Sequence, residues 1–247
     1  MMVRILVLTA LFACFMSCYA IGVMRIIDGK FAKDKANALP FMASLKVYQD
    51  GSYTFLCSGS IISNLHILTA AHCYYSLFGK DQATADKPES RTKAIGYLRA
   101  HTPIVFKEET VAPIRLAHGV FPKPGEKFHV AGFGNHTSDG NTFGLPSTYT
   151  FNGIDIKNND WCNLRNEREF CAGGDDQGTL RGDSGGPLYK NDKPRYQVGV
   201  VARGNTDRSE LDDEVVLTDH GVYTSVAAYC VFIEEVTQKA VKCEKVL

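Results

Sequence analysis

The stretch that decides the fold is Arg181-Gly182-Asp183-Ser184-Gly185-Gly186-Pro187-Leu188. It places a serine between an acid and two glycines, directly before an apolar run that is typical of a β-strand. Glycine permits close backbone approach and the positive φ angles that larger residues avoid. A serine in this setting can meet a substrate carbonyl as a nucleophile, although a plain Gly-Pro turn between two strands would have the same composition.

A second motif, Leu68-Thr69-Ala70-Ala71-His72-Cys73, precedes the serine motif along the chain. A lone histidine is more often a structural residue than a general base, but the two motifs in this order resemble the trypsin/chymotrypsin family of serine endopeptidases. The resemblance covers nearly all of residues 26–241. It implies that His72 is the general base and Ser184 the nucleophile, with the N–H groups of Gly182 and Ser184 forming the oxyanion hole. Polypeptides are the implied substrates.

Length and composition bound the fold and disfavour some partners. The chain has 247 residues and 45% hydrophobic content, enough to bury a core as one domain or two fused subdomains. Basic and acidic residues are equal at 27 each, so net charge does not favour a nucleic-acid or anionic-membrane partner. The seven histidines do not cluster at ligand spacing. We therefore expect no metal and no other cofactor.

Residues 1–20 have the pattern of a secretory signal peptide. Arg4 precedes the apolar run of residues 5–16, and small residues follow at the spacing of a cleavage site. The run is too short to cross a bilayer, so we expect a secreted, extracellular product with no membrane partner. Residues 21–25 would then be an activation propeptide and residues 26–247 the protease domain.

Short β-type runs separated by turn residues dominate the rest of the chain. Together with the resemblance, they predict an all-β fold of two packed antiparallel β-barrels with a C-terminal helix. The helix is expected over Val231 to Val241, where apolar residues recur at helical spacing. A continuous helix would hold the flanking Cys230 and Cys243 roughly 20 Å apart, too far for a disulfide. Either the chain folds back, or these thiols are free or pair with another chain.

The resemblance implies two disulfides elsewhere, Cys57–Cys73 and Cys162–Cys171. The first would join the strands that position the catalytic histidine. Asn135-His136-Thr137 is an N-glycosylation sequon on a polar loop, which suits a secreted protein.

The first barrel is expected to be incomplete. Residues 74–93 are polar and are interpreted as a loop, where family members have two further strands. The family pattern then puts Ala94 at the position of the third catalytic residue, an aspartate. Either two strands have been lost, or the sequence derives from a shortened transcript or gene model. Asp81 and Asp86 are the nearest acids and are interpreted as solvated surface charges.

Two functions from different classes follow from this pattern. The first is a secreted serine endopeptidase. The second is a secreted serine protease homologue that is catalytically weak or inactive and acts by binding polypeptides, because an alanine at the aspartate position would leave the histidine without its orienting carboxylate.

The resemblance also assigns a substrate pocket, lined by Gly178, Thr179, Gly204 and Gly221. Gly178 stands where trypsins carry an aspartate that binds Arg or Lys. The pocket is therefore predicted to be open and uncharged, with apolar rather than Arg/Lys specificity. The acidic stretch of residues 204–220 is interpreted as a solvated loop.

Arg25 followed by Ile26 resembles the family's activation site. Cleavage after Arg25 would create an amino group at Ile26 that can pair with Asp183 in the interior, since a buried charge is costly alone and tolerable when paired. A pocket with apolar specificity disfavours self-cleavage after an arginine. A trypsin-like activating protease is therefore an expected partner, and protein protease inhibitors are further candidates.

Replacing Arg25 with glutamine is expected to leave the protein inactive after treatment with a trypsin-like protease, because the new amino terminus at Ile26 cannot form. Peptide hydrolysis is measured for the variant and the unaltered protein, each before and after treatment. Full activity of the Arg25→Gln protein would contradict zymogen activation.

Overall fold

The structure is a computed structural model that describes residues 26–27, 29–31, 38–49, 51–76, 95–107, 110–134, 149–211 and 214–246. Two β-sheets pack against each other through a shared apolar core, and a short helix lies near the C-terminus. The prediction of an all-β, trypsin-like fold is confirmed. The predictions for the signal peptide, Arg25, Ala94 and Asn135 fall outside the described residues.

The first sheet contains four antiparallel strands in the order β2–β3–β4–β5. Strand β4 pairs directly with β5, from His66 opposite Arg99 to Ala70 opposite Ile95. In the part of the chain that the structure describes, this sheet stays open, which agrees with the expected incomplete first barrel. The strands are β2 (Met42–Gln49), β3 (Ser52–Ile61), β4 (His66–Ala70) and β5 (Ile95–Arg99).

The second sheet closes into a six-stranded antiparallel barrel in the order β7–β8–β9–β13–β11–β10, with β10 pairing back to β7. Four further strands, β1, β6, β12 and β14, extend it to a sheet of ten among the described residues. The bounds are β1 (Lys30–Phe31), β6 (Arg115–Ala117), β7 (Lys127–Gly132), β8 (Thr150–Lys157), β9 (Glu169–Asp175), β10 (Pro187–Lys190), β11 (Tyr196–Arg203), β12 (Thr206–Leu211), β13 (Glu214–Ser225) and β14 (Cys243–Glu244).

The acidic stretch expected as a loop is a β-hairpin instead. Strands β12 and β13 pair from Thr206 opposite Asp219 to Leu211 opposite Glu214. The second strand contains Val215, Val216, Leu217 and Thr218, whose β-branched and aliphatic side chains favour an extended chain. The acidic residues of this stretch had suggested a solvated loop. The pairing of β12 with β13 makes the stretch extended instead.

Two apolar clusters hold the fold together. One fills the closed barrel, with its largest buried members at Ile26, Ile154, Leu188 and Tyr223. The other lies between the two sheets and under the C-terminal helix, where Leu68 packs with Leu116, Tyr189 and Ile233. Burying one such side chain contributes about 1.5–3 kcal/mol. The second cluster fixes how the sheet that carries His72 meets the barrel that carries Ser184.

The C-terminal helix spans Cys230–Val236 and ends earlier than the sequence suggested. Gln238 and Lys239 adopt positive φ angles of 54° and 67°, which turn the chain back. The returning chain forms β14 beside β6 and brings Cys243 to Cys230, with 5.7 Å between their Cα atoms and a disulfide between them. Of the alternatives left open by the sequence, the chain folds back. No helix within the described residues has the length and apolar character needed to span a bilayer.

Removing the Cys230–Cys243 bridge by replacing both cysteines with alanine is expected to lower the free energy of unfolding by about 2–4 kcal/mol. The bridge joins cysteines 13 positions apart in the sequence and anchors the helix under the inter-sheet core. Urea denaturation measures the change. Val231→Ala, at a site 73% exposed on the same helix, is the control and should shift stability by less than about 0.5 kcal/mol. An unchanged midpoint in the double variant would contradict a structural role for the bridge.

Candidate active site

His72 lies immediately after strand β4, in a helical turn over residues 71–76. The disulfide between Cys57 and Cys73 ties this turn to strand β3. A ring nitrogen of His72 lies within 4.8 Å of both sulfur atoms. Because these sulfurs are joined in a disulfide and carry no thiolate charge, the group is not a metal site.

The serine loop, residues 181–186, joins the region after β9 to strand β10 and packs directly on the first sheet. A Cβ atom on Gly185 would lie 2.1 Å from Thr69 Oγ1 and 2.3 Å from the Ser58 carbonyl oxygen, and its φ is +83°. Only glycine fits this position. The close approach brings Ser184 beside the sheet that positions His72.

Ser58, which sequence reasoning missed, anchors the serine loop. Its N–H donates to the Ser184 carbonyl oxygen at 2.9 Å, and its hydroxyl donates to the Gly182 carbonyl oxygen at 3.0 Å. The same hydroxyl accepts a hydrogen bond from the Phe133 N–H at 2.9 Å. Ser58 is fully buried. It therefore connects the first sheet, the barrel and the backbone on both sides of Asp183.

The N–H groups of Gly182 and Ser184 were predicted to form the oxyanion hole. Gly182 is buried with φ of +102°, a conformation that favours glycine. Within the described ranges, neither N–H donates to a protein acceptor. Both are thus available to a ligand oxygen, as stabilisation of an oxyanion requires.

Asp183 lies behind the serine loop and is fully buried. Its Oδ1 accepts from the Gly134 N–H at 2.8 Å and its Oδ2 from the Leu180 N–H at 2.9 Å. Ile26 is buried in the barrel core, and the N–H of the next residue, Ile27, donates to the Gly178 carbonyl at 3.0 Å. The start of the expected protease domain therefore packs beside the pocket base.

His72 and Ser184 both line one cleft of about 640 Å³. Burial by the surrounding protein lowers the pKa of His72 below its ordinary value of 6.5, although the residue keeps an exposed edge. The ring is therefore neutral at pH 7, as a general base must be. Among the described residues, no hydrogen bond joins the ring to Ser184 and no carboxylate bonds to it.

The four predicted pocket residues gather around one buried acid, Asp219. Thr179 and Gly204 line the cleft itself, and Gly178 and Gly221 lie buried behind it. A Cβ atom on Gly178, Gly204 or Gly221 would come within 2.2, 2.8 and 2.9 Å, respectively, of an Asp219 side-chain atom. The absence of side chains at these glycines is what admits the carboxyl.

Asp219, which the sequence placed on a solvated loop, is fully buried behind these residues. The uncharged pocket stays a prediction, because Asp219 is not among the residues that line the cleft. Asp219 Oδ2 accepts from the Thr179 N–H at 2.8 Å, and its Oδ1 has no partner among the described residues. Burial raises the pKa of this carboxyl to about 7. Hydrogen bonds from Thr179 and the field of His220 act against burial, and Asp183 acts with it. Strand β13 runs from the hairpin into the barrel and carries Asp219 to its buried position beside Gly178. The sequence did not reveal this path.

Glu169, an acid that lines the cleft, is paired within the protein. Glu169 receives two hydrogen bonds from the Arg203 guanidinium, at 2.6 and 2.8 Å. Burial alone would raise the pKa of Glu169, but the bonds from Arg203 and from the Arg165 N–H lower it below its ordinary value. Arg203 therefore adds little net positive charge to the cleft wall.

Replacing Ser58 with alanine is expected to lower kcat roughly tenfold, with a smaller effect on KM. Loosening the loop should cost less than the ~10²–10³ lost when an oxyanion donor is removed. Stability should also fall by about 1–3 kcal/mol, because the buried Phe133 N–H loses its acceptor. Steady-state kinetics and urea denaturation measure the two effects. Thr110→Ala, at an exposed site, is the control, and an unchanged kcat for Ser58→Ala would contradict the positioning role.

Comparison with known proteins agrees with this geometry. Chymotrypsin-C of Rattus norvegicus is 28% identical over 276 aligned positions, covering 96% of this chain and all of that protein. Chymotrypsin-C of Mus musculus is 28% identical over 282 positions, again covering 96% of this chain and all of the relative. Both alignments exceed the 247 residues of this chain, so part of each falls in gaps here.

Transmembrane protease serine 11G of Rattus norvegicus is 28% identical over 251 positions, covering 87% of this chain and 56% of that protein. The family model described as Trypsin matches residues 26–233, most of the chain. The order of the two motifs, the closed barrel and the shared cleft of His72 and Ser184 agree with that match. This protein belongs to the trypsin family of serine proteases.

Proposed function

We propose that this chain is a secreted serine endopeptidase that hydrolyses peptide bonds of polypeptide substrates. The observation that carries the proposal is that Ser184 and His72 line the same cleft, while the N–H groups of Gly182 and Ser184 have no acceptor among the described residues. Nucleophile, base and oxyanion donors are the groups that acyl transfer needs.

In this mechanism, Ser184 Oγ attacks the scissile carbonyl while His72 takes its proton. The N–H groups of Gly182 and Ser184 stabilise the negative oxygen that develops. The tetrahedral intermediate collapses as His72 returns the proton to the leaving amine. Water then attacks the acyl-enzyme by the same route and releases Ser184. The step requires the His72 ring to move or turn toward Ser184 Oγ when substrate binds, since catalytic hydrogen bonds often tighten only in the complex.

The zymogen form is part of the proposal. Residues 1–20 direct secretion, residues 21–25 are removed, and a trypsin-like protease cuts after Arg25. The freed amino group of Ile26 then pairs with Asp183. Protein protease inhibitors are proposed as further partners, Asn135 as a glycosylation site, and no metal or cofactor takes part.

The residue at position 178 is not sufficient by itself to infer the substrate preference. The predicted apolar specificity, as opposed to Arg/Lys specificity, followed from the lack of an acid at that position. The carboxyl of Asp219 lies directly behind Gly178, so an acid is present from another part of the chain.

A second candidate function is a catalytically weak or inactive homologue that binds polypeptides in the same cleft. It is favoured by alanine at position 94 and by the lack of a carboxylate bonded to His72 among the described residues. In serine proteases, loss of the orienting aspartate costs about 10⁴ in turnover. A His72–Ser184 dyad retains the oxyanion hole and part of the acceleration.

Cleavage after Arg25 followed by a fluorophosphonate probe is expected to label Ser184, because the probe reports an activated serine. Mass spectrometry of the labelled peptide identifies the site. Ser184→Ala is the matched control and should remain unlabelled, and His72→Ala should label much more slowly. Correctly folded, cleaved protein that stays unlabelled at Ser184 would favour the polypeptide-binding homologue.

A further inference from the structure

The proposed active-site cleft is lined by three arginines and one acid. The arginines are Arg165, Arg181 and Arg203, and the acid is Glu169. Burial lowers the pKa of His72, so its ring is neutral at pH 7 and the described lining carries an excess of two positive charges. The whole chain has equal numbers of basic and acidic residues, so this excess is local to the cleft. The proposed catalytic steps make no use of it.

Glu169 balances one of the arginines and holds it in place. The Glu169 side chain is only 2% exposed and accepts two hydrogen bonds from the Arg203 guanidinium, at 2.6 and 2.8 Å. The Asn163 carbonyl oxygen accepts a third, at 2.7 Å. Arg203 is thus fixed on the cleft wall and its charge is compensated. Within the lining, the remaining positive charges are those of Arg165 and Arg181.

Arg165 adds its charge to the same wall. It is exposed, and its guanidinium has no hydrogen-bond or ion-pair partner among the described residues. Burial would raise the pKa of Glu169, and the charge of Arg165 acts with Arg203 against it, which places the Arg165 charge near this pair. With one acid for two arginines, this part of the wall keeps a positive charge that a further anion would neutralise.

Arg181 brings a positive charge to the serine loop. It is exposed and directly precedes Gly182, whose N–H is a proposed donor to the scissile carbonyl oxygen. The backbone here is held from behind, because the Gly182 carbonyl oxygen accepts from the Ser58 hydroxyl at 3.0 Å. The charge of Arg181 therefore lies at the mouth of the cleft, beside the place where the scissile bond would be.

The shape of the surface suits an extended ligand. A second cleft, of about 490 Å³, adjoins the catalytic cleft of about 640 Å³. Arg165, Arg203 and Gly204 line both, so the two arginines stand on the ridge between them. A polypeptide held at the ridge can extend into both clefts, whereas a small anion would contact the ridge alone.

We propose that the arginines of this cleft recognise acidic side chains, so that the enzyme prefers polypeptides with glutamate or aspartate close to the scissile bond. The inference rests on the proposed endopeptidase function for cleavage, but not for binding. Guanidinium groups pair with carboxylates through two parallel hydrogen bonds. A cleft lined by one sign of charge also raises the association rate of ligands of the opposite sign. The residue that enters the pocket beside Thr179 and Gly204 is a separate determinant.

The buried carboxyl of Asp219 does not reverse the charge of the cleft. It lies behind the pocket glycines and is not part of the lining. Burial raises its pKa to about 7, so it is only partly ionised at neutral pH. Even a fully ionised Asp219 would leave the positive charges in excess.

The first experiment measures kcat/KM for matched peptides. Phenylalanine precedes the scissile bond in every peptide, and glutamate or glutamine occupies one of the neighbouring positions. The protein is cleaved after Arg25 with immobilised trypsin, which is then removed, and Ser184→Ala protein treated in the same way reports any trypsin left behind. We expect a preference for glutamate of about fivefold at one position or more, since exposed ion pairs are individually weak. The ratio should approach one at about 1 M salt, where the screening length is about 3 Å.

Replacing both Arg165 and Arg181 with glutamine should abolish the ratio. Arg115→Gln is the matched control, because it removes an arginine that is paired with Glu244 on strand β6. Strand β6 pairs with the start of β11, roughly 20 Å from Arg203 at about 3.3 Å per residue. This control should keep the ratio.

A ratio of one or below at every position, or a ratio that survives the double variant, would overturn the inference and leave the endopeptidase proposal standing. If the double variant fails to fold, Arg165→Gln decides, because that exposed side chain has no partner among the described residues. A ratio unchanged in the single variant would then count against the inference.

A second experiment does not need catalysis. Binding of the same glutamate and glutamine peptides to Ser184→Ala protein is measured by calorimetry, with and without the two arginine substitutions. The glutamate peptide should bind about fivefold more tightly, and only when the arginines are present. If no peptide is hydrolysed by the unaltered protein but this difference holds, the endopeptidase proposal fails and the acidic-peptide site stands.

Equal binding of the two peptides would overturn the inference. A heparin oligosaccharide is tested alongside them, because sulfate groups also bind arginine. Heparin binding that requires the two arginines, without any difference between the peptides, would overturn the inference in favour of a polysaccharide site.

Discussion

The contact between Ser58 and the serine loop is the constraint on which the functional cleft depends. Ser58 donates to the carbonyl oxygens of both Gly182 and Ser184, and Gly185 admits the close approach because a Cβ atom there would collide with the first sheet. These bonds hold the loop of the barrel against the sheet that carries His72. The apolar cluster between the sheets sets their overall relation, and these bonds add the local placement of Ser184 relative to the sheet that carries His72.

Two buried acids lie behind this loop and serve different purposes. Asp183 accepts a backbone N–H on each carboxylate oxygen, so its environment stabilises the loop. Asp219 has one oxygen anchored by Thr179 and one without a described partner, and burial raises its pKa to about 7. An acid whose two oxygens both accept hydrogen bonds, such as Asp183, stabilises the loop that provides them. Asp219 instead anchors the backbone of Thr179, which lines the cleft.

The third member of the catalytic triad stays a prediction, because Ala94 lies outside the described residues. Position 94 is alanine, and no carboxylate among the described residues bonds to the His72 ring. Strand β5 pairs directly with β4, so the described part of the first sheet lacks the strands that would complete a barrel. The gapped alignments with chymotrypsin-C agree with a chain shorter than its relatives.

The family and the all-β architecture could be predicted from the sequence, because two local motifs in a fixed order resemble those of the family, and the same resemblance predicts catalytic roles for His72 and Ser184. The tertiary structure alone decided the role of Ser58, the fold-back that joins Cys230 to Cys243, and the burial of Asp219. Each depends on contacts between residues far apart in the chain. Asp219 is 41 residues from Gly178 by number yet touches it, since β13 runs beside β9 in the barrel. No local pattern reports such a contact.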